Sequence, residues 1–121
     1  MANRKLSARY DEALAPTGIN IAQFSLLRNV QRHQPVSLTE LGRHMELDRS
    51  TLGRNVRVLE RMGLLKFGQG DDQREALVLL AGGGEEVLQA AVPLWQQCQD
   101  ELAARLGAER LAMLAELNSM L

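Results

Sequence analysis

The chain has 121 residues, 45% of them hydrophobic and only 3% aromatic, and carries a net charge of −1. That is one domain or slightly less than two, with a modest core built from leucine, valine and alanine. No stretch approaches the ~18 uninterrupted apolar residues of a membrane span, and no charged, apolar and small-residue series marks an export signal, so a cytoplasmic protein is expected. The single cysteine, Cys98, excludes an internal disulfide and a cysteine-rich zinc site.

Leu6, Tyr10, Ala13 and Leu14 follow helical spacing until Pro16, Thr17 and Gly18 break the chain. A second helix is expected after Asn20, whose side chain can cap it. Ile19 and Phe24 stand in staple positions and Leu27 and Val30 face inward. It should end near His33, before Pro35. The run Ser37-Leu38-Thr39-Glu40 reads as a capping box, Ser37 accepting from the third helical amide and Glu40 reaching back to the amide of Ser37. The short helix it opens buries Leu38, Leu41 and Met45.

A third capped helix follows after a turn. Asp48 can accept from the free amides of its first turn, Leu47 and Leu52 occupy staple positions, and Gly63 supplies a left-handed stop. At about 100° per residue, Leu52, Val56, Leu59 and Met62 share a buried stripe, while Ser50, Arg54, Arg57 and Arg61 lie opposite. One helix thus has an apolar face and an arginine face. Two capped helices joined by so short a turn read as a helix-turn-helix.

Beyond Gly63, residues 64–70 (LLKFGQG) and 74–81 (REALVLLA) are β-prone runs flanking Gly68, Gly70, Asp71 and Asp72, as expected of a two-stranded hairpin. A hairpin directly after the arginine helix is the wing of a winged helix. Residues 81–84 (AGGG) read as a flexible boundary. From Glu85 to about Leu106, the residues Val87, Leu88, Ala91, Trp95, Cys98 and Leu102 form an apolar stripe, with a kink expected at Pro93. Gly107 is expected to end this helix, and Leu111, Leu114 and Leu117 align on a last one. These helices have more apolar face than a small winged domain can cover, which predicts a second copy of the chain as the cover.

The near-neutral total hides an uneven distribution. Between residues 28 and 66, Arg28, Arg32, Arg43, Arg49, Arg54, Arg57, Arg61 and Lys66 outnumber Glu40, Glu46, Asp48 and Glu60. After residue 84, Arg105 and Arg110 face Glu85, Glu86, Asp100, Glu101, Glu109 and Glu116. A polyanion is attracted to the middle of the chain and repelled by its end.

In this combination the sequence resembles the MarR family of winged-helix transcription regulators along nearly its whole length. The resemblance is carried by residues 37–65 (SLTELGRHMELDRSTLGRNVRVLERMGLL), by Asp72-Gln73-Arg74, which matches the family's Asp-x-Arg wing motif, and by terminal helices placed for dimerisation. It implies a mainly α (α+β) fold, a winged helix-turn-helix with flanking dimerisation helices. Residues 1–18 would form an N-terminal dimerisation helix, 19–81 the DNA-binding lobe and 82–121 the C-terminal dimerisation helices.

The implied function is a sequence-specific, double-stranded-DNA-binding regulator, a dimeric ligand- or stress-responsive repressor on an inverted-repeat operator. The recognition helix would enter the major groove and Arg74, oriented by Asp72, the adjacent minor groove. The candidate DNA contacts are Ser37, Arg49, Ser50, Thr51, Arg54, Asn55, Arg57, Arg61, Asp72 and Arg74. Because Asp71, Asp72 and Glu75 surround Arg74, binding is expected to lean on the helix more than on the wing.

Tyr10 and Trp95 are candidates to line a pocket for a small-molecule effector, with plain core packing as the alternative. Cys98 reads as a buried packing residue, with oxidant sensing as the alternative. His33 and His44 lack metal-ligand spacing and suit helix ends or the surface. No glycine-rich phosphate loop with its lysine, nucleophile with an acid–base partner, or paired metal ligands emerges, so neither an enzyme nor a cofactor is expected. The competing reading is a winged-helix interaction module whose arginine face binds an acidic protein partner.

Overall fold

In the computed structural model, which describes residues 2–69 and 76–118, a helical frame surrounds one small sheet. Helix α1 (Ala2–Leu14) ends in a single 3-10 turn, Ala15–Thr17, and Gly18 closes it with φ +81°. Helix α2 (Ile21–His33) starts at the expected cap: Asn20 Oδ1 accepts from the Gln23 amide at 2.8 Å, and Gln23 Oε1 accepts from the Asn20 amide at 2.9 Å. Asp11 of α1 accepts from the Ile21 amide at 2.7 Å, tying the first two helices together.

A two-residue strand, β1 (Val36–Ser37), precedes α3 (Leu38–Met45) and α4 (Arg49–Arg61). Strands β2 (Leu65–Gln69) and β3 (Ala76–Leu80) complete an antiparallel sheet of order β1-β3-β2, with Val36 opposite Val78 and Phe67 opposite Val78 on its other side. The hairpin expected from sequence is therefore part of a three-stranded sheet. A strand this short has no readable period, so only its pairing reveals it. Gln34 Oε1 further accepts from the Leu80 amide at 2.9 Å, fastening the end of α2 to β3.

The core gathers the apolar positions of every element. Leu14, Leu27, Val30, Leu41, Leu52, Val56, Leu59 and Val78 have no exposed surface, and Phe24, Leu65 and Leu88 are almost as deeply buried. Burial of each such side chain contributes about 1.5–3 kcal/mol relative to exposure, so the staple residues and the helix stripes are held by the same interior. Met62 departs from the expected stripe. It caps the C-terminus of α4 and is 45% exposed, because the chain leaves helical geometry at Gly63 before the next turn could carry it inward.

Two further expectations are corrected at the C-terminal side. Helix α5 runs unbroken from Gly82 to Asn118. Gly107 does not end it: a glycine stops a helix by taking positive φ, and among the described glycines only Gly18 and Gly63 do so. A glycine that stays helical costs only about 1 kcal/mol relative to alanine. Pro93 sits inside α5, where the sequence places it, on the exposed side of the helix.

The glycines of residues 82–84 are not a flexible boundary. They open α5, and two of them allow backbone to approach backbone: a Cβ on Gly83 would lie 2.6 Å from the Gly63 carbonyl oxygen, and one on Gly84 would overlap the Leu64 carbonyl and meet Leu80 Cδ2 at 3.1 Å. Around Gly82 there is open space.

Gly84→Ala is expected to lower unfolding stability by about 1–3 kcal/mol through overpacking against backbone that cannot yield. Gly82→Ala, in the same turn, is expected to be neutral or stabilising by about 0.4–1 kcal/mol. Urea denaturation of the two variants checks both; equal stability would mean that the packing at residue 84 imposes nothing.

Candidate nucleic-acid interface

The site begins with how α4 is started and stopped. At its N-terminus Asp48 Oδ1 accepts from the Thr51 amide at 2.8 Å, while Asp48 Oδ2 accepts from the Thr51 hydroxyl at 2.9 Å. Both carboxylate oxygens thus hold one residue. These two hydrogen bonds, the backbone one first, pull the Asp48 carboxyl below its ordinary range, with Arg54 assisting.

At the C-terminus the Gly63 amide donates to the Glu60 carbonyl and the Leu64 amide to the Leu59 carbonyl, each at 2.9 Å, with Gly63 at φ +79°. This is a Schellman stop with its apolar seal, since Leu59 and Leu64 are both buried. Between these ends, Leu52, Val56 and Leu59 fix the rotation of α4 by burying one face completely.

The rotation decides what the opposite face presents. Arg49, Ser50, Arg54, Asn55, Arg57 and Arg61 are exposed and Thr51 is half-exposed. Among the described residues no carboxylate pairs with any of these arginines. The ion pair found is Arg43 with Glu40, at 3.4 Å on the surface of α3. The sequence therefore located the arginine face correctly, and the fold keeps it available. Val58 was not singled out from sequence; it is 39% exposed beside Arg54 and Arg61.

Helix α3 is set against α4 at a close approach. A Cβ on Gly42 would lie 3.0 Å from the Leu47 carbonyl oxygen, and Glu46 takes the left-handed conformation at φ +55° to make the turn. Ser37 accepts from the Glu40 amide at 3.1 Å but is itself 5% exposed, so its hydroxyl serves the start of α3. The reciprocal arm of the expected capping box is not made, because Glu40 turns toward Arg43 instead. Asp72 and Arg74, the candidates on the wing, lie outside the described residues, as do Asp71, Gln73 and Glu75.

The effector candidates do not stand together as equals. Tyr10 is 2% exposed and its hydroxyl donates to Asn118 Oδ1 at 3.3 Å; burial pushes its phenol up. Trp95 is half-buried, with its ring 5.5 Å from Phe24 and its buried Nε1 without a hydrogen-bond partner among the described residues. The Arg28 guanidinium lies 5.8 Å from the Trp95 ring and 6.0 Å from the Phe24 ring, a cation–aromatic cluster that the spacing of residues 24, 28 and 95 in the sequence does not announce. Cys98 is buried beside Leu102, and burial pushes its thiol up with Glu101 adding to the effect, which favours packing over thiolate chemistry. His33 and His44, at the exposed ends of α2 and α3, stack with ring centroids 3.7 Å apart.

Known proteins share these features. The sequence profile of the MarR family matches residues 17–75. The transcriptional regulator MosR of M. tuberculosis, solved in complex with DNA, is 34% identical, with a TM-score of 0.82 over 98% of this chain and 87% of that one. A mutant MarR from E. coli complexed with operator DNA is 28% identical, with a TM-score of 0.85 over 95% of this chain and 84% of that one. The uncharacterized HTH-type transcriptional regulator YwoH of Bacillus subtilis is 27% identical over 101 residues, covering 84% of this chain and 74% of the relative.

The lowered carboxyl of Asp48 gives a pH test. A depressed acid contributes stability that is present above its unfolded value and is lost as pH falls through its folded value. Asp48→Asn keeps a capping oxygen and should remove that component, so the wild-type advantage over the variant at neutral pH is expected to vanish in acid. Thermal unfolding of both proteins across the carboxylate range checks this; a gap independent of pH would count against the assignment.

Proposed function

The chain belongs to the MarR family of winged-helix transcriptional regulators, and from that premise we propose that it is a dimeric, sequence-specific repressor whose α4 reads an inverted-repeat operator. The observation that carries the reading is the arginine face of α4: Arg54, Arg57 and Arg61 stand exposed on a helix whose other face is locked into the core, with Arg49 exposed at its first turn. A fixed cationic helix face is what major-groove recognition requires. Ser50, Arg54 and Arg57 meet base edges in this reading and Arg61 meets phosphate, with Arg49, Thr51 and Asn55 as further DNA contacts of the same helix. Ser37 acts through its hold on α3. Arg74, oriented by Asp72, enters the minor groove.

The same reading assigns residues 19–81 to the DNA-binding lobe, and 1–18 with 82–121 to dimerisation. Support comes from α1 packing on α5 to form one unit, with Tyr10, Leu14, Cys98 and Leu102 buried between them. A small-molecule effector bound near Trp95 would bias the angle between that unit and the lobe, since Phe24 and Arg28 of the lobe touch Trp95 of α5.

Selection from random duplexes with the purified protein tests the reading. The expected product is an inverted repeat with half-sites about one helical turn, ~34 Å, apart, bound with a steep loss of affinity as salt rises. Recovery of no preferred duplex, with capture of acidic proteins instead, would favour the interaction module.

Arg54→Ala is expected to cost about 1–3 kcal/mol on the selected site and to relax preference at one base pair, as for a bidentate contact with guanine. An equal loss on every sequence would make Arg54 a phosphate contact only. Sedimentation at micromolar concentration should show a dimer, and a monomer there would overturn the two-half-site arrangement.

A further inference from the structure

The first turn of α4 holds a side chain whose hydrogen-bond donor is already committed. Thr51 stands at the third helical position, half-exposed. It lies about 60° around the helix from Arg54. Its amide and its hydroxyl both donate to Asp48, at 2.8 and 2.9 Å. A threonine hydroxyl carries one proton. With that proton on the Asp48 carboxylate, Thr51 has none to offer to an acceptor on a guanine or adenine. A base amino group arriving here would meet the Asp48 carboxylate, a stronger acceptor than the Thr51 oxygen beside it.

What Thr51 retains for a base edge is its methyl group. The bond to Asp48 also restrains rotation about χ1, which in a β-branched residue is already narrow, so the methyl is held in one orientation before any DNA arrives. The apolar group that the major groove displays is the C5 methyl of thymine.

We propose that Thr51 is a specificity-determining residue that selects a thymine in each half-site by methyl-to-methyl contact, with Asp48 as the positioning residue that holds its side chain. This rests on the reading that the N-terminal turn of α4 enters the major groove. It adds a base preference that the arginine face alone does not give.

The experiment replaces each thymine of the selected operator, one at a time, by uracil, which deletes only the C5 methyl. Wild-type protein is expected to lose about fourfold in affinity at one thymine per half-site, the equivalent of one buried methyl. Thr51→Ser keeps the hydroxyl and its bonds to Asp48 and removes only the methyl; it should bind the thymine operator about fourfold more weakly and show no further loss on uracil. Thr51→Val keeps a methyl but loses the bond to Asp48 that holds it, so it should distinguish thymine from uracil less sharply than wild type; discrimination equal to wild type would remove Asp48 from the positioning role.

Wild-type protein that prefers its operator yet is indifferent to uracil at every position would overturn the inference and leave the reading of α4 intact. A Thr51→Ser protein that keeps the full discrimination would assign the thymine methyl to another side chain. Binding without any sequence preference would remove the reading itself, and the inference with it.

Discussion

The contact of backbone on backbone where residues 63 and 64 meet residues 83 and 84 is the constraint on which the other elements depend. Gly63 turns the chain out of α4 through a left-handed conformation, and Leu64 is carried into the core by the same turn. The Leu64 carbonyl then accepts from the Ala81 amide at 3.1 Å, and Gly83 and Gly84 bring the first turn of α5 against the same two residues. The approach is of backbone to backbone, flanked by the side chains of Leu64 and Leu80. Packed interiors transmit displacement because they are dense and poorly compressible, so a tilt of α5 moves the end of α4 with it.

Held at one end by that joint, α4 is held at the other by Asp48. The arrangement places an anion at the tip of a helix whose outer face is cationic. Anions are attracted to the side that carries Arg54, Arg57 and Arg61 and repelled near Asp48, and the amide of Thr51, which could otherwise take an anion, is occupied. The net charge of −1 conceals this because acidic residues after residue 84 balance the arginines in the total.

Two clusters outside this axis show how the sheet and helices bring distant residues together. The stacked rings of His33 and His44 join the ends of α2 and α3, and the Arg28 cluster joins α2 to α5. Both sit where the positioning helices meet the frame. The second also crosses a large sequence separation, from residue 28 to residue 95.

The sequence by itself determined the starts and stops of α2 and α4 and the face that α4 presents. Those features depend on local chemistry: Asn20 and Asp48 satisfy amides three residues away, Gly63 alone tolerates the left-handed stop, and the spacing of Leu52, Val56 and Leu59 sets which side is buried. Tertiary structure decided what depends on partners remote in the chain. Val36 and Ser37 become a strand only because Val78 and Leu77 lie opposite. The three glycines after Ala81 look like a hinge in sequence and are packing residues in the fold, since what excludes a Cβ there is the carbonyl of Leu64. Gly107 looks like a helix end and is passed over within α5; for an isolated segment its cost would count, but a helix packed along α1, α2 and β3 draws its stability from tertiary contacts rather than from propensity.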